Sequence, residues 1–334
     1  MTPAPSPAKP RLVCPACRAG VTRADALYTC ARCGRAFPIL FGVPDFRVRS
    51  DRYLSLEAER EKARLLFEAS SRLTFEELLA YYYSITDDVT PERARVYAGY
   101  VMEGPARAAG DLEAFGTAGS NEALLDAGCG SGSALVAARG RLGGVTGVDI
   151  ALRWLAICRK RLDALGIEAN LVCADIESLP FEPGQFTHVL ATDLIEHVYD
   201  QGAALKAVAE QLAPGGLLWL TAINRWWPGP HPSTGRWAAG YRPAGAGRAG
   251  YDPLRHVAHI SAGMAQDLCA EAGLEVLRVE PRRVSGARAR TRAERMAIGA
   301  YSALRGMPVL RSILVAAGPA FEVLARAPNA QGGR

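Results

Sequence analysis

Leu124-Leu-Asp-Ala-Gly-Cys-Gly-Ser-Gly-Ser133, followed by Gly147-Val-Asp-Ile150, is the stretch on which the fold turns. An apolar run entering a glycine-rich segment reads as a buried strand, a tight turn and a helix start. The acid of the second stretch then stands at the tip of the next strand. The turn Gly128-Cys-Gly-Ser-Gly132 has the spacing G-x-G-x-G, not the G-x-G-x-x-G that cradles a dinucleotide pyrophosphate. Asp126, ending the first strand, is unwelcome beside a pyrophosphate and suits a cationic group such as an ammonium. Asp149 is placed to accept both hydroxyls of a ribose. Together they describe a ligand with a cationic amino-acid end and a ribose.

Working outward, strand-like and helix-like patterns alternate, as a doubly wound parallel α/β sheet requires. Strands are expected near 122–127, 144–149, 168–173, 186–192, 215–223 and 274–281, and helices near 132–140, 151–165, 201–213 and 261–272. Pro214-Gly-Gly216 marks the turn into the fifth strand, and Phe321 to Ala327 reads as a final strand. The glycine turn, Asp149, Asp175-Ile176 with its Leu179-Pro-Phe181 tail, Glu196-His197-Val198 and Pro214-Gly-Gly216 occur in one order and spacing. In this the chain resembles the class I S-adenosylmethionine-dependent methyltransferases of the type 11 kind, over roughly residues 120 to 280. The resemblance implies a Rossmann-like seven-stranded sheet with an antiparallel last strand. It also implies S-adenosylmethionine as cofactor. Asp126 would hold the donor's ammonium, Gly128, Gly130 and Gly132 would admit its backbone-hugging portions, and Asp149 with Ile150 would take the ribose. Asp175 and Ile176 would take the adenine, with Thr192 and Asp193 near the methionine and methyl group.

Two long segments interrupt the regular core: 224–259 after the fifth strand and 282–320 between the sixth and seventh. Both leave carboxyl ends of strands, the edge at which open α/β sheets bind ligands. They are expected to act as cap insertions that build the acceptor pocket. The first carries Trp226, Trp227, His231, Trp237, Tyr241 and Tyr251 among Gly and Pro. Aromatics in a loop-rich lid suit a planar or lipid-like acceptor, and equally simple lid packing. The second is basic and amphipathic, and reads either as a membrane-surface contact or as a solvated basic face over an apolar cap. His197, His256 and His259 are the candidates for acid–base work on the acceptor, with loop anchoring as the alternative for each.

Cys14, Cys17, Cys30 and Cys33 form a C-x2-C…C-x2-C pattern whose two knuckles can share one tetrahedral Zn²⁺. Cys129, Cys158, Cys173 and Cys269 are scattered through the α/β pattern, where a free cysteine behaves as a small apolar residue. Two short strands, 26–29 and 36–40, are expected beside the knuckles. Tyr28 to Pro44 resembles the small zinc-ribbon proteins known as methyltransferase activators, here fused ahead of a methyltransferase-like domain. That resemblance makes a protein partner of the ribbon an open question. The expected organisation is a disordered tail over 1–10, a zinc ribbon over 11–48, a helical linker or cap over 50–120, and the donor-binding domain over 121–330. Within the helical region, Thr90-Pro91 reads as a helix start, and Tyr81-Tyr-Tyr83 either covers a ligand or packs.

The 334 residues are 49% hydrophobic and 22% charged, with a formal net charge of +5. That charge is too mild to argue for nucleic acid by itself. No uninterrupted apolar run is long enough for a spanning helix, and the Pro- and Ala-rich start has no signal-peptide core, so a cytoplasmic address is expected, with peripheral membrane contact as one option. The leading expectation is methyl transfer to a small or amphipathic, quinone-, polyketide- or lipid-like metabolite. The alternatives are an RNA methyltransferase that uses the ribbon for recognition, and a non-catalytic zinc-ribbon interaction protein.

Overall fold

The computed structural model describes residues 9–51, 54–86, 89–116, 119, 122–227, 260–283 and 292–329. The N-terminal unit is a four-stranded antiparallel sheet in the order β1-β2-β3-β4: β1 (Val21–Ala24), β2 (Leu27–Cys30), β3 (Ala36–Leu40) and β4 (Val43–Pro44). The first of these gives no sequence signal because it has no apolar face; three of its four residues are exposed.

Four helices follow: α1 (Leu56–Ser70), α2 (Phe75–Ser84), α3 (Pro91–Met102) and α4 (Gly104–Leu112). Their starts are set by caps that satisfy otherwise orphaned amides. Ser55 accepts from Ala58 N at 3.1 Å, Thr74 and Glu77 form a reciprocal capping box, and Thr90 caps α3 with Pro91 at its first position.

The main sheet holds seven strands in the order β10-β11-β9-β8-β5-β6-β7. In chain order the elements are β5 (Ala123–Ala127), α5 (Ser133–Ala137), β6 (Gly144–Asp149), α6 (Leu152–Ala164), β7 (Asn170–Cys173), β8 (Phe186–Thr192), α7 (Gln201–Gln211) and β9 (Leu212–Ile223). They continue with α8 (Ala262–Glu271), β10 (Glu275–Pro281), α9 (Arg292–Arg305), α10 (Pro308–Ala317) and β11 (Ala320–Arg326). Strands β5 to β9 pair in parallel, while β11 runs antiparallel between β9 and β10. Leu124, Leu125, Val189, Leu190, Leu218 and Leu220 are fully buried, as expected for strands covered by helices on both faces. The helix expected to reach 213 stops at Gln211, because Leu212 already pairs with Phe186 ahead of an irregularity at Pro214-Gly215.

The N-terminal unit is built onto the open edge of this sheet, at β7. Phe46 N donates to Cys173 O at 2.7 Å, Val13 N to Pro180 O at 2.9 Å, and Glu182 N to Arg11 O at 3.0 Å. The Arg18 guanidinium donates to Leu179 O at 2.6 Å and Phe181 O at 2.8 Å. Cys14, Cys30, Phe37 and Phe46 share one continuous core with Phe181 and the strands behind it. Helix α1 is fixed to α6 by a buried charge cluster: Arg153 N donates to Glu59 at 2.8 Å, and its guanidinium pairs with Glu59 and with Asp51.

Candidate active site

A cavity of about 400 Å³ opens at the carboxyl ends of β5, β6, β8 and β10 and is roofed by α3 and α4. Every glycine of the Gly128-x-Gly130-x-Gly132 turn has positive φ (77°, 48° and 77°), a region in which a side chain costs about 1–2 kcal/mol. At Gly128 a Cβ would also meet Leu194 at 2.9 Å, and at Gly132 it would meet Cys158 Sγ at 2.6 Å. A Cβ at Gly130 would meet nothing within 4 Å, so that position adds no steric demand to its conformational one.

Asp149 ends β6 with both oxygens held by backbone: Gly130 N donates to Oδ2 and Ala151 N to Oδ1, each at 2.8 Å. Burial lifts its carboxyl to about 6 against the pull of those two amides. Asp126, ending β5, is buried, lines the cavity, and has no hydrogen-bond or ion-pair partner among the described residues. Burial lifts it to about 7, with the negative charges of Asp149 and Asp111 adding to the effect. A buried carboxylate without a cation is costly. A cationic ligand group in the cavity removes that cost.

Asp175 and Ile176 line the same cavity just beyond β7, but the Asp175 carboxylate is already engaged. Its Oδ1 accepts from Glu177 N at 2.9 Å and its Oδ2 pairs with Arg49, which also reaches Glu177 at 2.6 Å and lies over the Tyr199 ring. An adenine amine would be a further partner for a group with four lone-pair sites. Arg47, two residues earlier, donates to Ile150 O at 3.2 Å. One strap leaving the N-terminal unit thus touches the tips of β6 and β7.

The other half of the cavity is differently made. Thr192 and Asp193 end β8, and Asp193 sits at φ 50°, a left-handed conformation Asp tolerates better than most residues. Asp193 pairs with Arg282 at the end of β10, and Tyr100 on α3 reaches it at 3.5 Å. Asp111 on α4 accepts from the Trp219 indole at 3.3 Å, and burial raises its carboxyl. Burial works against the Arg282 charge, but Asp193 and Asp111 more than restore it. Tyr83, Tyr97 and Tyr100 complete the roof; Tyr82, beside them in sequence, instead packs inward on Trp154 at 4.8 Å between ring centres. His197 lines the cavity, while His256 and His259 lie outside the described residues. Glu196, next to His197, is buried without a side-chain hydrogen-bond partner among the described residues, and burial pushes it to about 8.

Asp126, Gly128, Gly130, Asp149, Ile150, Asp175, Ile176, Thr192, Asp193 and His197 are therefore brought to one cavity. Gly132 shapes the turn behind it. Nothing local in the sequence marks Arg49, Tyr97, Tyr100, Arg107 or Asp111 for this cavity, and Arg282 stands in the sequence only as part of a basic segment. The one available signal for Arg282 was its position immediately after the sixth strand.

Cys14, Cys17, Cys30 and Cys33 place their Sγ atoms within 4.8 Å of one another. The separations are 3.6 Å for Cys14–Cys33 and 3.4 Å for Cys17–Cys30. A tetrahedral Zn²⁺ with Zn–S bonds of about 2.3 Å requires sulfur–sulfur edges of about 3.8 Å. The donor set fits. Each knuckle closes the same way, with Arg18 N donating to Cys14 O at 2.8 Å and Gly34 N to Cys30 O at 3.0 Å, and both Arg18 and Gly34 have positive φ.

Strand order, glycine turn and cavity define a class I methyltransferase domain. Residues 125–220 match the family described as "Methyltransferase domain". The ubiquinone biosynthesis O-methyltransferase of Idiomarina loihiensis is 37% identical over 103 residues, which cover 30% of this chain and 42% of that protein. The protein of the same name from Xanthomonas euvesicatoria pv. vesicatoria is 36% identical over 104 residues, covering 30% and 43%. The chain thus spans less than half the length of these relatives. A chain from the Haloferax volcanii complex that contains the Trm112 methyltransferase activator aligns at 18% identity and a TM-score of 0.51, over 76% of this chain and 98% of that one. That likeness is one of fold.

Proposed function

We propose that the chain is an S-adenosylmethionine-dependent methyltransferase acting on a small amphipathic acceptor of quinone or lipid type, and that Cys14, Cys17, Cys30 and Cys33 hold one structural zinc. The observation that carries the reading is Asp126: a buried carboxylate facing the cavity, with no cation of the described chain to neutralise it. The donor's ammonium is the matching charge. Asp149, aimed by two amides, would accept the ribose hydroxyls, and the amides opening α5 would receive the carboxylate. Asp175 and Ile176 would border the adenine, and Thr192 and Asp193 would stand near the end of the methionine, where its methyl group meets the acceptor.

Bound there, S-adenosylmethionine supplies an electrophilic methyl group on a positively charged sulfur. The chain's own contribution is mainly to hold an acceptor in line and keep water out, which can account for much of such a rate enhancement. Tyr83, Tyr97 and Tyr100 form the water-excluding roof. As a base, His197 would take the proton of an acceptor hydroxyl on a ring nitrogen. A hydroxyl acceptor on a quinone-like ring is supported by the names of the relatives. No described helix is long and apolar enough to cross a membrane; a cytoplasmic enzyme working beside a lipid surface fits an amphipathic acceptor.

Calorimetry with S-adenosylmethionine tests the donor site, and absence of binding sinks the enzymatic reading. Label transfer from the donor into a lipid extract, compared with total RNA, tests the acceptor class. Metal analysis of the purified chain should return one zinc per molecule, lost in Cys14→Ser.

A further inference from the structure

We propose that the α9–α10 hairpin is a docking face for an anionic lipid bilayer. This goes beyond the methyltransferase reading and rests on it only for the purpose of docking, which is access to an amphipathic acceptor. Two independent observations converge on it.

The first is an apolar face turned outward. On the two helices and the turn between them, Val309 is 78% exposed, Met296 66%, Ile313 57%, Met307 54% and Leu304 40%. Val309 and Ile313 are one helical turn apart on α10, which has no buried residue. Its opposite side, through Val315, packs on the domain core. The helix is therefore apolar on both sides, and its outer side is exposed at Val309 and Ile313.

The second is charge. Residues 282–320 contain eight arginines and a single acid, Glu294, whereas the whole chain carries only +5. The rest of the molecule is consequently net negative. Arg282, Arg305 and Arg311 pair with Asp193, Glu280 and Glu322, and Arg283 with Glu113. Arg292 and Arg295, in the first turn of α9, are exposed. A basic flank beside aliphatic side chains is the composition that inserts shallowly into an anionic lipid interface.

Other occupants fit less well. The exposed side chains are aliphatic or thioether and offer no ring for stacking on bases, as single-stranded RNA recognition requires. A second copy of the chain in a two-fold pairing would oppose one basic flank to another. The hairpin is also tied to the cavity wall: Tyr301 donates to Arg282 O at 2.9 Å and Arg305 to Pro281 O at 2.6 Å, and the Arg282 side chain lines the cavity. Docking on this face brings the cavity's edge to the bilayer.

The test is sedimentation of the full chain with vesicles of phosphatidylcholine alone and with vesicles of equimolar phosphatidylcholine and phosphatidylglycerol. Binding to the anionic vesicles is expected, weakening as salt rises. Val309→Asp and Ile313→Asp should each weaken it more than about tenfold, because burial of one aliphatic side chain is worth at least that factor. Arg292→Glu with Arg295→Glu should abolish the preference for anionic vesicles. S-adenosylmethionine affinity, read by calorimetry on the same variants, should stay unchanged, which separates failure of docking from failure of the methyltransferase reading. Absence of vesicle binding by the unaltered chain overturns the proposal. So does vesicle binding indifferent to Val309→Asp and Ile313→Asp, or a concentration-dependent dimer or RNA retention that those substitutions abolish in place of vesicle binding.

Discussion

The two halves of the cavity are assembled from different distances along the chain. In the half proposed for the donor, Asp149 is held by amides two and nineteen positions away. In the half proposed for the acceptor, Asp193 meets Arg282 across 89 positions and Tyr100 across 93, and Asp111 meets Trp219 across 108. Local hydrogen bonds to backbone place a carboxylate whatever surrounds it. Ion pairs between distant elements place one only after the cap helices and the last strands have docked. The donor half should therefore tolerate changes in the acceptor half, and its own residues should dominate donor affinity.

Asp149→Ala gives the largest expected effect. Losing two charged hydrogen bonds to a ribose, each worth about 1.5–3 kcal/mol, should weaken S-adenosylmethionine binding by at least about a hundredfold in calorimetry. A change below threefold would place the ribose elsewhere and end the contrast.

Acid should act next. Asp126 and Asp149 lie at about 7 and about 6 before the donor binds, and a cation prefers the ionised carboxylate. Donor affinity should be flat above pH 8 and fall by up to about tenfold per unit below pH 7, more steeply below 6. The stability of the ligand-free fold runs the other way. Both carboxyls sit above the unfolded range of about 4, so their contribution is fully present below that range and lost as pH rises through 6 and 7. Thermal melts with and without donor from pH 5 to 8 should therefore diverge as pH rises. Parallel curves would mean that neither carboxylate faces the ligand.

Arg49→Met should have a smaller consequence, because its ion pairs are half-exposed and such pairs contribute about 1 kcal/mol or less. A loss of about three- to fivefold in donor affinity is expected, measured by the same calorimetry. An increase would show that Arg49 competes with the adenine for Asp175. Smallest of all on donor affinity is Asp193→Asn, expected within about threefold of the parent, while label transfer to the acceptor falls more than about tenfold. Equal losses in both would erase the distinction between the halves.

The same division explains what was legible in the sequence. Strand tips, the glycine turn and Asp149 were readable because apolar runs, positive-φ glycines and strand-end acids are local signals. The cysteine knuckles were readable for the same reason. Tyr100, Asp111 and Arg282 were not assigned to the cavity, because nothing within a few residues of each distinguishes a helix-surface tyrosine or acid from one that faces a cavity. The sequence presents Asp175 as an open acceptor, since no local pattern announces an arginine 126 positions upstream that pairs with it. Val21 to Ala24 escaped notice because a strand exposed along most of its length carries no alternation.

The parallel bridge between Asp45 and Cys173, with Phe46 donating to the latter's carbonyl, has a consequence for solution behaviour. Strand β7 ends the sheet on that side, and a bare terminal strand is a template for pairing with another molecule. The cysteine-bearing unit seals this margin from within the same polypeptide. A chain shortened to begin after Arg49 would carry a raw β margin and a newly bared Phe181, and should precipitate or multimerise even where the donor cavity is otherwise whole.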